Sequence, residues 1–153
     1  MQLRYIELGR AAWGGALLLA PDSTLGRIHG LKIDTKSEVI ARILGARQLA
    51  QAALSGIEPS PEVLAMGVWV DLAHAASAFG LAVVDRSRAR AGITDGVVAL
   101  TWAGIGYRDL VQGRATPPAH DRRRDQLARM VLGMAPGGGP LLRIAQRDRQ
   151  EKR

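Results

Sequence analysis

The stretch from Glu62 to Val84 constrains this chain more than any other part of it. Its 23 residues include only three ionisable side chains, Glu62 at the start, Asp71 and His74. As an α-helix it would be about 34 Å long, enough to cross a hydrocarbon layer of roughly 30 Å. Both ends carry stop signals. Pro59-Ser60-Pro61 makes a hard turn, with Ser60 or Pro61 placed to open the helix. Asp85-Arg86-Ser87-Arg88-Ala89-Arg90 closes it with charge. Such a segment belongs either in the dry interior of a helical bundle or in a bilayer.

The other apolar stretches are also helical in pattern. Ile6 to about Ala20 is uncharged from Ala11 to Leu19, which is short for a full crossing, and Pro21 and Asp22 end it. A polar connection over Asp22–Lys36 contains Gly26 and Gly30. Ser37 is placed as the N-cap of a helix over Glu38–Ser55. There Val39, Ile40, Ile43, Leu44, Ala46, Leu49, Ala50, Ala53 and Leu54 form an apolar face, interrupted by Arg42, Arg47, Gln48 and Gln51. A fourth segment, Ala91–Tyr107, has Asp95 as its only charge and places Trp102 and Tyr107 toward its end, where interfacial aromatics sit.

Nothing alternates with the period of a strand. The expected fold is all-α: a small transmembrane bundle of about four helices over residues 1–110, then a basic tail over 111–153. In the tail, His120-Asp121-Arg122-Arg123-Arg124 precedes Leu127, Met130, Val131 and Met134 at i, i+3, i+4, i+7, a short basic amphipathic helix. Ala135-Pro136-Gly137-Gly138-Gly139-Pro140 breaks it, and the final thirteen residues are expected to be mobile.

Composition turns the choice toward a bilayer. Aromatics make up 4% of the chain, and large aliphatics are diluted by Ala and by 18 glycines. A water-soluble core of small side chains buries little area, and each Gly inside a soluble helix costs roughly 1 kcal/mol relative to Ala. Between membrane helices the same small residues permit close backbone approach. Gly92, Gly96 and Gly104 form one such stripe, and Ala12, Ala16 and Ala20 another. No secretory signal is expected, because Glu7 and Arg10 interrupt the first apolar run.

Charges inside apolar segments oppose insertion by on the order of 3 kcal/mol each. Pairing offsets this. With Pro59 as the turn centre, Arg47 and Asp71 each lie twelve residues away, so antiparallel helices bring them to one depth. An Arg47–Asp71 pair is expected, with His74 one turn beyond Asp71, Gln48 and Gln51 beside Arg47, and Asp95 as a further carboxylate. The cluster reads first as a polar clasp that fixes helix packing, and second as a proton relay. It lacks the third and fourth ligands of a metal site, and the absence of cysteine removes thiolate sites and disulfides. No nucleophile elbow, phosphate loop or HExxH pattern occurs, so neither an enzyme nor a cofactor is expected.

Ala41-Arg42-Ile43-Leu44-Gly45-Ala46-Arg47-Gln48-Leu49-Ala50-Gln51-Ala52, followed by Val70-Asp71-Leu72-Ala73-His74-Ala75-Ala76-Ser77, resembles uncharacterised actinobacterial four-helix membrane proteins. The resemblance spans roughly Ile6 to Tyr107 and leaves out the tail. What it implies is architecture, a small integral membrane protein with no established activity.

The net charge of +7 calls for an anionic partner. All but Lys32, Lys36 and Lys152 of the 21 basic residues are arginines, which reflects codon composition as much as function. Arg122, Arg123, Arg124 and Arg129 are expected to lie on anionic lipid head groups. Nucleic acid is disfavoured, because no helix-turn-helix or zinc finger accompanies them. Orientation is contradictory: four spans would put the Arg86–Arg90 loop and the basic tail on opposite sides, although both are strongly positive. The expectation is therefore a multi-pass protein of the plasma membrane, acting as a non-enzymatic accessory or assembly component, with another membrane protein as its partner. A small proton-linked carrier and a soluble, basic, nucleic-acid-binding bundle are the alternatives.

Overall fold

A computed structural model describes residues 5–29, 34–120 and 122–152, without the side chains of 27–29. Gly30 of the expected polar connection and Asp121 of the expected basic run lie outside them. Among the described residues the chain forms seven α-helices and no strand. They are α1 (Ile6–Leu19), α2 (Pro21–His29), α3 (Thr35–Ser55), α4 (Pro61–Val84), α5 (Ala89–Val111), α6 (Arg123–Met134) and α7 (Gly138–Glu151). The all-helical class stands, but the number of helices exceeds the four expected. The chain divides into two compact units at Ile57 and Glu58 rather than at the 110/111 border that charge suggested.

In the first unit α1 packs against α3. The N-cap of α3 is Asp34, whose carboxylate accepts from the Ser37 backbone N–H at 2.9 Å, so the helix begins ahead of the Ser37 cap expected. The contact surface is made of small and polar residues. From α1 it takes Gly14 and Leu17, with Glu7 and Arg10 also buried. From α3 the buried residues are Ala41, Gly45, Gln48, Gln51, Ala52 and Ser55. The backbones nearly touch: a methyl group added at Gly45 would lie 2.6 Å from the Gly14 carbonyl oxygen. The expected stripe of Ala12, Ala16 and Ala20 is not the contact, since Ala12 and Ala20 are exposed. The expected apolar face of α3 is likewise turned outward at Val39, Ile40, Ile43 and Leu54.

The second unit is organised along α4. Ser60 caps it, with Oγ accepting from the Val63 N–H at 3.3 Å, and Pro61 occupies the first turn, where no N–H is needed. Every residue from Pro61 to Met66 is buried. Here Val63, Leu64, Ala65, Met66 and Val68 form one core with Leu110 of α5, Ala115, Ala128 and Leu132 of α6, and Leu141 and Ala145 of α7. Most of the end expected to be mobile thus forms a helix, Gly138–Glu151, on this core. Pro140 does not prevent it, because it falls within the first turn, whose N–H groups have no intrahelical partner. Lys152 then ties the C-terminal end of α7 down, its Nζ donating to the Ala115 carbonyl at 2.7 Å and pairing with Asp148 at 2.7 Å.

Beyond Val68 the packing changes. Only Asp71, Ala75 and Ala78 of α4 are buried, facing Gly92, Gly96, Ala99, Ala103 and Gly106 of α5. A methyl on Gly92 would lie 2.6 Å from the Ala78 carbonyl oxygen, and one on Gly106 2.9 Å from Val68 Cγ2. Gly104 is exposed with open space around it, so it drops out of the expected stripe and Gly106 takes its place. The bulky residues Leu72, Leu81, Val83, Val84, Ile93, Val97 and Leu100 are exposed.

These contacts predict opposite outcomes for similar substitutions. Gly92→Ala and Gly45→Ala should each destabilise by about 1–3 kcal/mol through overpacking. Gly104→Ala should be neutral or gain up to ~1 kcal/mol from helix propensity. Thermal or denaturant unfolding of the purified variants checks both.

Candidate functional site

The α4–α5 hairpin places a polar pair in otherwise apolar surroundings. His74, four positions before buried Ala78, and Asp95, one before buried Gly96, meet because the small-residue contact holds the helices close. His74 Nε2 and Asp95 Oδ2 share a hydrogen bond of 2.7 Å, and both side chains are largely shielded from solvent. Asp71, almost one turn before His74, is 1% exposed. Ser77 Oγ donates to the carbonyls of Ala73 and His74 and so is engaged with its own helix. The arrangement can hold or pass a proton between imidazole and carboxylate, and it fixes the register of the two helices.

Of the residues expected to cluster, the structure brings His74 and Asp95 together. Arg47, Gln48 and Gln51 belong to the first unit, and Asp71, His74 and Asp95 to the second. The expected Arg47–Asp71 pair would thus join residues of different units. Within the first unit, Gln48 Oε1 accepts from Arg10 Nη1 at 3.3 Å, and Arg10 pairs with Glu7 at 3.2 Å. All three side chains are buried between two apolar helices. Among the described residues no three His, Cys, Asp or Glu side chains converge as a metal site would require.

A second polar cluster lies at the N-terminal end of α4, where sequence reading saw only the polar start of a span. Glu62 is 1% exposed, and its Oε1 accepts from Arg149 of α7 at 2.6 Å and from Arg129 of α6 at 3.2 Å. Asp125, also fully buried, accepts from Ser60 Oγ at 2.6 Å and from the Arg122 backbone N–H at 2.9 Å. Arg124 donates to the Glu58 carbonyl at 3.2 Å. Two of the four arginines expected on lipid head groups, Arg124 and Arg129, thus turn inward as clasps, while Arg122 and Arg123 are exposed. No sequence signal joins Glu62 to Arg149, which lies 87 positions away.

The far end of the hairpin is closed by Asp85, whose Oδ1 accepts from the Ser87 hydroxyl at 2.6 Å and backbone N–H at 3.0 Å. The Ser87 hydroxyl first, and then Arg88, hold this carboxyl down at about 2. Because the folded value is depressed, the turn keeps this contribution above the ordinary carboxylate range and loses it as pH falls toward 2.

Comparison of the chain with protein families, with curated proteins and with solved structures gives no match. One helix among those described, α4, is long and apolar enough to cross a membrane.

Removal of the Arg149 guanidinium leaves a buried carboxylate short of its closest partner. Arg149→Ala should destabilise the second unit by about 3 kcal/mol, and the more exposed Arg129→Ala by about 1 kcal/mol or less, read by denaturant unfolding. A pH titration followed at the Ser87 amide resonance should show a midpoint near 2, and not near the ordinary carboxylate value of 3.8.

Proposed function

We propose that the chain is an integral membrane protein whose apolar hairpin contributes packing surface to a membrane assembly, without enzymatic activity. One observation carries this reading: burial in the hairpin is inverted by size. Ala and Gly fill the α4–α5 contact, while Leu72, Leu81, Val83, Val84, Ile93, Val97 and Leu100 face outward. In water, large apolar groups drive folding by going inside, and a contiguous exposed set marks a membrane or protein contact. In hydrocarbon that driving force vanishes, and close van der Waals packing of small residues holds helices together. The first unit follows the same pattern, with Gly14 against Gly45 and Ile43 outside.

The crossing is assigned to α4, the one described helix long and apolar enough by itself, and the less apolar α5 is carried as its return partner by their close packing. At fourteen residues, α1 falls short of the ~20 that a span needs. On this reading the chain shares the architecture of the actinobacterial four-helix membrane proteins it resembles and lies in the plasma membrane. A two-span hairpin also eases the conflict over orientation. It puts α6 and α7 on one side with most of the arginines, and Arg86, Arg88 and Arg90 on the other. Positive charge then favours a cytoplasmic α6 and α7.

A second reading, a small proton-linked carrier, is favoured by the His74–Asp95 hydrogen bond, because ionisable pairs inside apolar helices commonly serve transport. In it the working groups are Asp71, His74 and Asp95 of the hairpin, with Arg47 of the first unit.

Washing membranes that contain the protein with alkaline carbonate and with high salt should leave it in the pellet. Full release, with a monodisperse folded protein in plain buffer, would sink the membrane reading and leave a soluble basic bundle. In proteoliposomes, Asp71→Asn and Asp95→Asn separate the two roles. A proton flux lost in both variants assigns transport, whereas lowered thermal stability with no flux in wild type or variant assigns packing.

A further inference from the structure

The α6 helix is mounted on α4 by the face opposite to the one its sequence pattern advertises. Asp125, Ala128 and Leu132 are buried, and the Ser60–Asp125 and Arg129–Glu62 hydrogen bonds fix that rotation. The other side of the helix therefore presents Arg123, Leu127, Met130 and Met134, at i, i+4, i+7 and i+11, along one line. Leu127 is 41% exposed, Met130 54% and Met134 73%, although Ala128 and Leu132 of the same helix are fully buried in the core.

We propose that this line is an interfacial surface, resting α6 in the head-group layer of an anionic bilayer, with Leu127, Met130 and Met134 dipping toward the acyl chains. The inference rests on the membrane reading above and adds the level and tilt at which the hairpin sits. Two observations select lipid as the occupant. The first is charge complementarity. Asp125 and Asp148 are buried and Glu151 is the one exposed carboxylate of the two helices, while Arg122, Arg123, Arg143 and Arg147 are exposed, leaving the outer surface of α6 and α7 basic. The second is level. Immediately after Met134, Pro136 and Gly137 line an open apolar groove with Trp69 and Tyr107, and Trp69 Nε1 donates to the Pro136 carbonyl at 2.9 Å. Amphipathic aromatics of this kind mark the head-group level of a bilayer. The outward bulky residues of the hairpin begin just beyond them, at Leu72. The end of α6 is thus tied to the very depth at which the apolar face starts, as an interfacial helix requires.

The chain contains no cysteine, so single-cysteine labels report without background. The full chain would be placed in nanodiscs of phosphatidylcholine, with or without phosphatidylglycerol. Polarity-sensitive fluorophores would be attached in turn at Leu127→Cys, Met130→Cys, Met134→Cys and, within the hairpin, Val97→Cys. The expected result with phosphatidylglycerol is blue-shifted emission at 127, 130 and 134, with quenching by aqueous iodide at least threefold weaker than in the unfolded chain. Arg122→Gln with Arg123→Gln should abolish that shielding and leave position 97 shielded. If position 97 is shielded while the three α6 positions are quenched freely, the interfacial surface is overturned and the membrane hairpin survives. Free quenching at 97 overturns both. Shielding at 127, 130 and 134 that ignores lipid charge and disappears when each nanodisc holds one copy overturns lipid in favour of a second chain.

Discussion

The closeness of paired helix backbones governs this fold. Between α4 and α5, and again between α1 and α3, glycine and alanine leave so little space that one added methyl would collide with a carbonyl oxygen. Each helix must therefore present its smallest residues to its partner and carry its bulk elsewhere. That single constraint sets the register in which His74 reaches Asp95, and it sends Ile43, Val97 and Leu100 to the outside. Close approach also brings gains in dispersion energy that do not depend on water, which is why the same contact works in an apolar solvent.

Much of the local architecture was legible in the sequence. Pro59-Ser60-Pro61 starts α4 where Pro and a capping hydroxyl dictate, and the charged stop after Val84 ends it. Gly92 and Gly96 were recognisable as packing residues because their spacing recurs once per helical turn. What misled was the assumption that an apolar stripe points inward. On α3 the stripe of Val39, Ile40 and Ile43 lies outside. Periodicity identifies a face; it does not say which solvent that face prefers.

The polar clasps were illegible for a different reason. Glu62 looked like the solvated beginning of a span, and Arg149 like part of a charged end. Their meeting depends on α7 existing, and Gly137-Gly138-Gly139-Pro140 argues against a helix until its position is known. At the N-terminus of a helix Gly137 can take its positive φ, and Pro140 has no hydrogen bond to lose. Long-range ion pairs of this sort follow from tertiary packing, and a pattern of spacings carries no trace of them.

The two halves of α4 obey different rules. From Pro61 to Met66 it is enclosed on all sides, with charge buried only where guanidinium or hydroxyl partners meet it. From Trp69 to Val84 it buries a narrow line of small residues and one carboxylate, and it shows Leu and Val to its surroundings. The first half is enclosed by α6 and α7, and the second has only the narrow contact with α5. On the membrane reading proposed above, the change falls where the medium changes, near Trp69, with the hairpin facing apolar surroundings beyond it. In water the same sixteen residues would need a broad apolar protein surface against them.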